Sequence, residues 1–175
     1  MKTLTRIAIA LTFTLLSGLP NLAQAQSAST VRIDTVQAIE IFPGIPVPER
    51  NTRFGVAFAG RVSGDLPGFL AATVNYTPAN PGPNVTNTIV GGSWAITVRQ
   101  NNRILGTVFG RVTDGTAVWD TNGTIATVDA TVTVEGGTNA FVGVKGTGMF
   151  DGTLDHTPLA NKRPPTLKGT LSLTF

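Results

Sequence analysis

The sequence predicts an all-β protein, an antiparallel closed β-barrel of about eight strands. Three observations carry this. Apolar and polar residues alternate with period two in several runs, which is the mark of strands with unlike faces. Threonine, valine and glycine are abundant, and Asn/Asp-Gly pairs separate many of the runs. No amphipathic helical pattern follows residue 25.

The runs place strands over 31–41, 52–63, 68–76, 88–99, 103–113, 116–119, 124–134, 139–150 and 166–175. Phe54, Val56, Phe58 and Val62 share one face of the second, and Trp94, Ile96 and Val98 one face of the fourth. The alternation is clearest from Ile125 to Val134, where Ala126, Val128, Ala130, Val132 and Val134 oppose Ile125, Thr127, Asp129, Thr131 and Thr133. Leu167, Leu171, Leu173 and Phe175 alternate with Lys168, Thr170, Ser172 and Thr174 at the end. Asn101-Asn102, Asp114-Gly115, Asn122-Gly123, Gly136-Gly137 and Asp151-Gly152 read as turns, because these residues tolerate positive φ. Longer connections are expected at Pro43 through Pro48, at Pro78 through Pro83 and from about His156 to Pro165. Short spacing favours antiparallel hairpins, and closure into a barrel removes exposed sheet edges. A β-sandwich is the alternative.

The first segment reads as a secretory signal. Lys2 and Arg6 precede the apolar run Ile7 to Leu16, and Ala23-Gln24-Ala25 is a small-x-small cleavage pattern. Cleavage is expected after Ala25, which leaves 26–175 as one domain, secreted or periplasmic. That remainder carries 11 basic and 10 acidic residues, since Lys2 and Arg6 leave with the signal. Basic residues scattered singly make no nucleic-acid stripe, so no nucleic-acid partner is expected. The absence of cysteine excludes disulfides and thiolate metal sites, and one histidine excludes an imidazole cluster. No metal and no cofactor are expected. Asp151 and Asp155 lack the run of oxygen ligands that a calcium loop needs.

The stretch from Gly136 to Gly152 holds the most specific pattern, Gly136-Gly137-Thr138-x-x-Phe141-x-Gly143-x-x-Gly146. Its glycine pair makes a tight turn, Phe141 is a large anchor, and Gly143, Gly146 and Gly148 suit a strongly coiled strand. A dinucleotide site would need a helix there, and the alternation continues as strand. The pattern resembles the signature of the allene oxide cyclase and dirigent superfamily. With Gly91-Gly92-Ser93-Trp94 and the closing Gly169 to Phe175, the chain resembles bacterial secreted proteins with an allene oxide cyclase barrel-like domain over about Thr52 to Phe175. Asn139 stands where many relatives have glycine, and asparagine also tolerates left-handed φ. The resemblance implies an eight-stranded barrel with an apolar cavity, often a trimer. The plant cyclase has a cysteine in its site and this chain has none, so the family's reaction does not carry over residue by residue.

Candidate ligand-binding residues are those in strands whose chemistry could furnish a cavity: Tyr76, Trp94, Arg99, Arg111, Trp119 and Asp129, with Glu40 as a further polar residue in a strand. Period two assigns faces without saying which face is the lumen. Gly91-x-Ser93-x-Ala95 approaches a nucleophile elbow, but strand residues follow where that motif needs a helix, and a triad would depend on His156. His156 reads as a surface-loop residue, with the rival that Asp155 orients it as a base.

Three functional classes follow. The first is an exported barrel that binds a small apolar ligand and cyclises or isomerises it by positioning. The second is a non-catalytic secreted module acting through its surface or by oligomerisation. The third is a small outer-membrane barrel, suggested by Phe175 and the leucines before it; the scarcity of aromatic residues for girdles speaks against stable membrane insertion.

Overall fold

The computed structural model describes residues 29–175; the expected signal peptide and its cleavage site lie outside the described residues. Eight strands follow in order: β1 (Thr30–Val47), β2 (Thr52–Ser63), β3 (Gly68–Thr77), β4 (Thr86–Gln100), β5 (Arg103–Trp119), β6 (Ile125–Gly137), β7 (Gly146–Asp155) and β8 (Thr166–Thr174). Each pairs antiparallel with the next, and β8 returns to β1 from Thr30↔Thr174 to Ile39↔Thr166, so the ring closes as a barrel. A single closed sheet replaces the sandwich alternative. Three short 3-10 turns are the only helical pieces among the described residues, none of them long and apolar enough to cross a membrane.

Alternation decides what the ring encloses. The aliphatic positions of β6 (Ala126, Val128, Ala130, Val132 and Val134) are buried, while Ile125, Thr127 and Asp129 are exposed. In β8, Leu171 and Leu173 are buried and Lys168 and Thr174 exposed. The apolar face therefore points inward. An eight-stranded ring has an interior just wide enough to be filled by side chains or to hold one small ligand. This barrel is filled at one end and leaves a cavity at the other. Ile33, Ile96, Val98, Val108 and Leu173 are fully buried and fill the end that carries the β4–β5 turn, with Phe141 and Val144 of the β6–β7 connection packed in the same core. The other end is less densely filled.

The turns show where sequence signals were sufficient. Asn101 and Asn102 both take positive φ (48° and 62°) and join Gln100 to its partner Arg103 in a two-residue hairpin. Asn139 takes φ 53°, the left-handed conformation expected there.

Several expectations need correction. Segments 103–113 and 116–119 are one strand, β5, because Asp114-Gly115 makes no reversal and pairs with Thr131 and Ala130 of β6, just past a register shift between Val112 and Asp114. Asp151-Gly152 lies inside β7, paired with Asp129 and Val128. Asn139–Phe141 is a 3-10 turn, so β7 begins only at Gly146. Pro43 through Val47 continues β1. Pairing to β8 stops at Ile39, so this stretch of β1 pairs with β2 alone.

Candidate functional site

The less filled end holds a cavity of about 110 Å³. One water needs roughly 10–15 Å³ on this measure, so the space suits a small organic molecule. Its wall is built from inward positions of all eight strands and is mostly aliphatic and aromatic, including Val36, Phe58, Leu70, Trp94, Val132 and Phe150. Three alanines, Ala72, Ala117 and Ala130, leave the space that larger side chains would fill.

Five residues give one region of this wall its polarity. Asn87 is 1% exposed, and its amide is engaged at both ends: Oδ1 accepts from Trp119 Nε1 at 2.6 Å and Nδ2 donates to the Pro78 carbonyl at 2.7 Å. That bridge joins the β3–β4 connection to the end of β5 and fixes the indole plane. Against the Trp119 ring stands His156, edge to face, with centroids 4.6 Å apart. The His156 N–H donates to the Thr124 carbonyl at 2.7 Å, which pins the residue just beyond β7.

Glu40 approaches from β1. The β1–β2 register shifts between Glu40 and Phe42, a bulge of the kind that re-aims a side chain beside a site. The Glu40 N–H donates to the Pro165 carbonyl at 2.9 Å, tying β1 to the loop that begins at His156. Glu40 Oε2 and His156 Nε2 lie 3.7 Å apart, with the two side chains only 11% and 17% exposed. That separation is too long for a hydrogen bond. His156 Nε2 is buried and has no hydrogen-bond partner among the described residues. Tyr76 lines the same region. Burial pushes its phenol above the ordinary 10.0; the Arg53 guanidinium pulls the other way and the Glu40 carboxylate adds to the rise.

The structure divides the six sequence candidates. Tyr76, Trp94 and Trp119 line the cavity. Arg99, Arg111 and Asp129 are exposed on the outer face, and their expected place in the cavity is corrected. Each lies at an odd position beside inward even ones, so the pleat turns it outward. Arg111 Nε is occupied there by Glu135 Oε1 at 2.9 Å. Ser93 also points outward, where its hydroxyl meets Thr73 Oγ1 at 2.9 Å, and β4 runs on as strand, so no nucleophile elbow forms.

His156 is the residue the surface-loop reading missed. Its signal was the alternation of β7, since Phe150, Leu154 and His156 continue one inward series. The Asp155–His156 pairing is corrected as well. Asp155 Oδ1 accepts from the N–H and the hydroxyl of Thr157, at 2.8 and 2.6 Å, and Glu40 is the carboxyl that faces His156 Nε2.

The chain matches no protein-family model, and searches of the curated proteins and of the solved structures find no match either.

Proposed function

We propose that this protein is an exported barrel of the allene oxide cyclase-like kind that holds a small, largely apolar molecule in its lumen and fixes its shape. One observation carries the reading: a cavity of about 110 Å³ with an apolar wall and a single polar cluster. Such a wall gains affinity by removing apolar surface from water, at roughly 25 cal/mol per Å², while a few polar groups set orientation. If the bound molecule reacts, positioning in one conformer is the means, as in cyclisation or isomerisation. Support for the family rests on the Gly136–Gly152 pattern together with the closed ring of eight strands. Support for export rests on the Lys2-to-Ala25 signal pattern.

The barrel is read as working outside the bilayer. A membrane barrel turns its apolar face to lipid and its polar face to the lumen. Here the leucines of β8 and the aliphatic series of β6 face inward, and Thr127, Asp129, Lys168 and Thr174 of the same strands are exposed.

The test is mass spectrometry of organic extracts from the protein purified from its native source, beside the variant Ala130→Phe, which fills the lumen. A discrete small molecule recovered with the unmodified protein and lost with the variant is the expected result. Equal recovery from both would place the molecule elsewhere and overturn the reading.

A second reading, action through the surface by self-association, is favoured by β1, where Ile39, Ile41, Phe42 and Ile45 are all exposed. Light scattering of the protein and of an Ile41→Lys, Ile45→Lys variant tests it. An oligomer that the charges break apart supports this reading, and a monomer in both sinks it.

A further inference from the structure

The polar cluster specifies more than an apolar ligand. Glu40 Oε2 and His156 Nε2 face each other across 3.7 Å. The gap is too wide for them to bond directly and suits one small atom that contacts both. Both groups are largely removed from water, and a buried polar atom without a partner costs about 1–3 kcal/mol. Tyr76 and Trp119 close the surroundings, but the Trp119 N–H is already committed to Asn87.

The chemistry of this pair selects among head groups. A carboxylate oxygen only accepts, so the bridging atom must donate to Glu40. An imidazole nitrogen donates or accepts according to its tautomer, so it meets either need. A ketone oxygen cannot donate and would face the Glu40 oxygen lone pair to lone pair. A carboxylate ligand would add like charge. An ammonium donates to Glu40 but brings a second charge into an apolar chamber, where desolvation opposes it. A hydroxyl is neutral, donates once and accepts on the same atom.

We propose that the lumen is a site for a small apolar alcohol, its hydroxyl donating to Glu40 Oε2 and paired with His156 Nε2, its hydrocarbon body against the Trp94–Phe150 wall. This rests on the lumen-binding reading above and adds the identity of the head group.

Intrinsic fluorescence provides the readout, because the chain has two tryptophans, Trp94 and Trp119, and both line the cavity. Cyclohexanol, cyclohexane, cyclohexanone and cyclohexylamine are titrated into the protein in turn. Cyclohexanol is expected to bind at least about tenfold more tightly than each of the others, as a hydrogen-bonding pocket distinguishes a hydroxyl from its absence. In Glu40→Leu/His156→Phe the preference for cyclohexanol over cyclohexane should vanish while cyclohexane still binds, which also shows that the variant is folded. Glu40→Gln, closer in shape, is the second variant and should lose about fivefold of the preference.

Equal binding of cyclohexanol and cyclohexane overturns the head-group inference and leaves lumen binding standing. Tighter binding of the ketone or the amine overturns it also, as does a preference that survives the double variant. If none of the four binds, the lumen reading itself fails.

Discussion

Trp94 and Gly110 face each other across β4 and β5, and the indole reaches past Gly110 to donate from Nε1 to the Thr133 carbonyl on β6, at 3.2 Å. A Cβ on Gly110 would collide with that same carbonyl oxygen. The bare backbone at 110 is therefore what lets one side chain span three strands and form part of the cavity wall. Gly110→Ala should destabilise the fold by about 2 kcal/mol or more. Urea unfolding measures the loss, and a red shift of tryptophan emission in the folded variant would report the displaced indole. Unchanged stability would mean that β5 and β6 can separate at this point at no cost.

Asn87 offers a second test, because its amide satisfies two buried groups at once, the Trp119 N–H and the Pro78 carbonyl. Asn87→Leu leaves both without a partner, and each buried orphan costs about 1–3 kcal/mol. Trp119→Phe leaves only the Asn87 oxygen unpaired and should cost less in polar terms. A double-mutant cycle on urea midpoints should give a coupling between the two sites of about 1 kcal/mol or more. Additive effects would show that the 2.6 Å contact contributes nothing to stability.

Tyr76 is the single tyrosine of the chain, so its titration can be followed alone by tyrosinate absorbance. Burial raises its folded-state value above 10.0, and Arg53 opposes the rise. The midpoint should thus lie above that of free tyrosine, and Arg53→Leu should raise it further. A folded value above the unfolded one means this group leaves stability unchanged below pH 10.0. Above that, stability falls until the folded value is passed. A midpoint at or below 10.0 would contradict the buried placement.

At the acid end the reporter is Asp120, which closes the β5–β6 turn. Its Oδ1 accepts from the N–H groups of Thr124 and Ile125, at 2.8 and 3.2 Å. The bond from the Thr124 N–H is the largest cause of a value held below the usual 3.8. A depressed carboxyl contributes stability that is present above its ordinary value and is lost as pH falls through the folded one. Melting temperature should therefore drop more steeply with acid below about pH 4 in the unmodified protein than in Asp120→Asn. Parallel curves would remove the assignment.

How far these features were legible depends on which physical signal each one left. The strands of β6 and β8 were plain because a half-buried strand must alternate, and Asn101-Asn102 was plain because two successive positive φ values admit few residues. Asp114-Gly115 and Asp151-Gly152 misled for the same reason, since the glycine of an Asp-Gly pair signals close backbone approach as readily as reversal. Arg99, Arg111 and Asp129 were drawn as candidates because periodicity fixes two faces without naming the inner one. Once Val98, Val112 and Val128 are known to face inward, their odd-numbered neighbours must point out. Glu40 and His156 meet only through ring closure, more than a hundred residues apart, and nothing local in the sequence marks that meeting.

Ile33, Val98, Val108 and Leu173 stop one end of the cylinder with aliphatic side chains that are at most 1% exposed. The chamber is thus a blind alley. A ligand bound as proposed would enter and leave at the other end, hydrocarbon first on the way in and head group first on the way out. Residence time would then be governed by the loops around that doorway, and a tail longer than the alley would be refused whatever its head group.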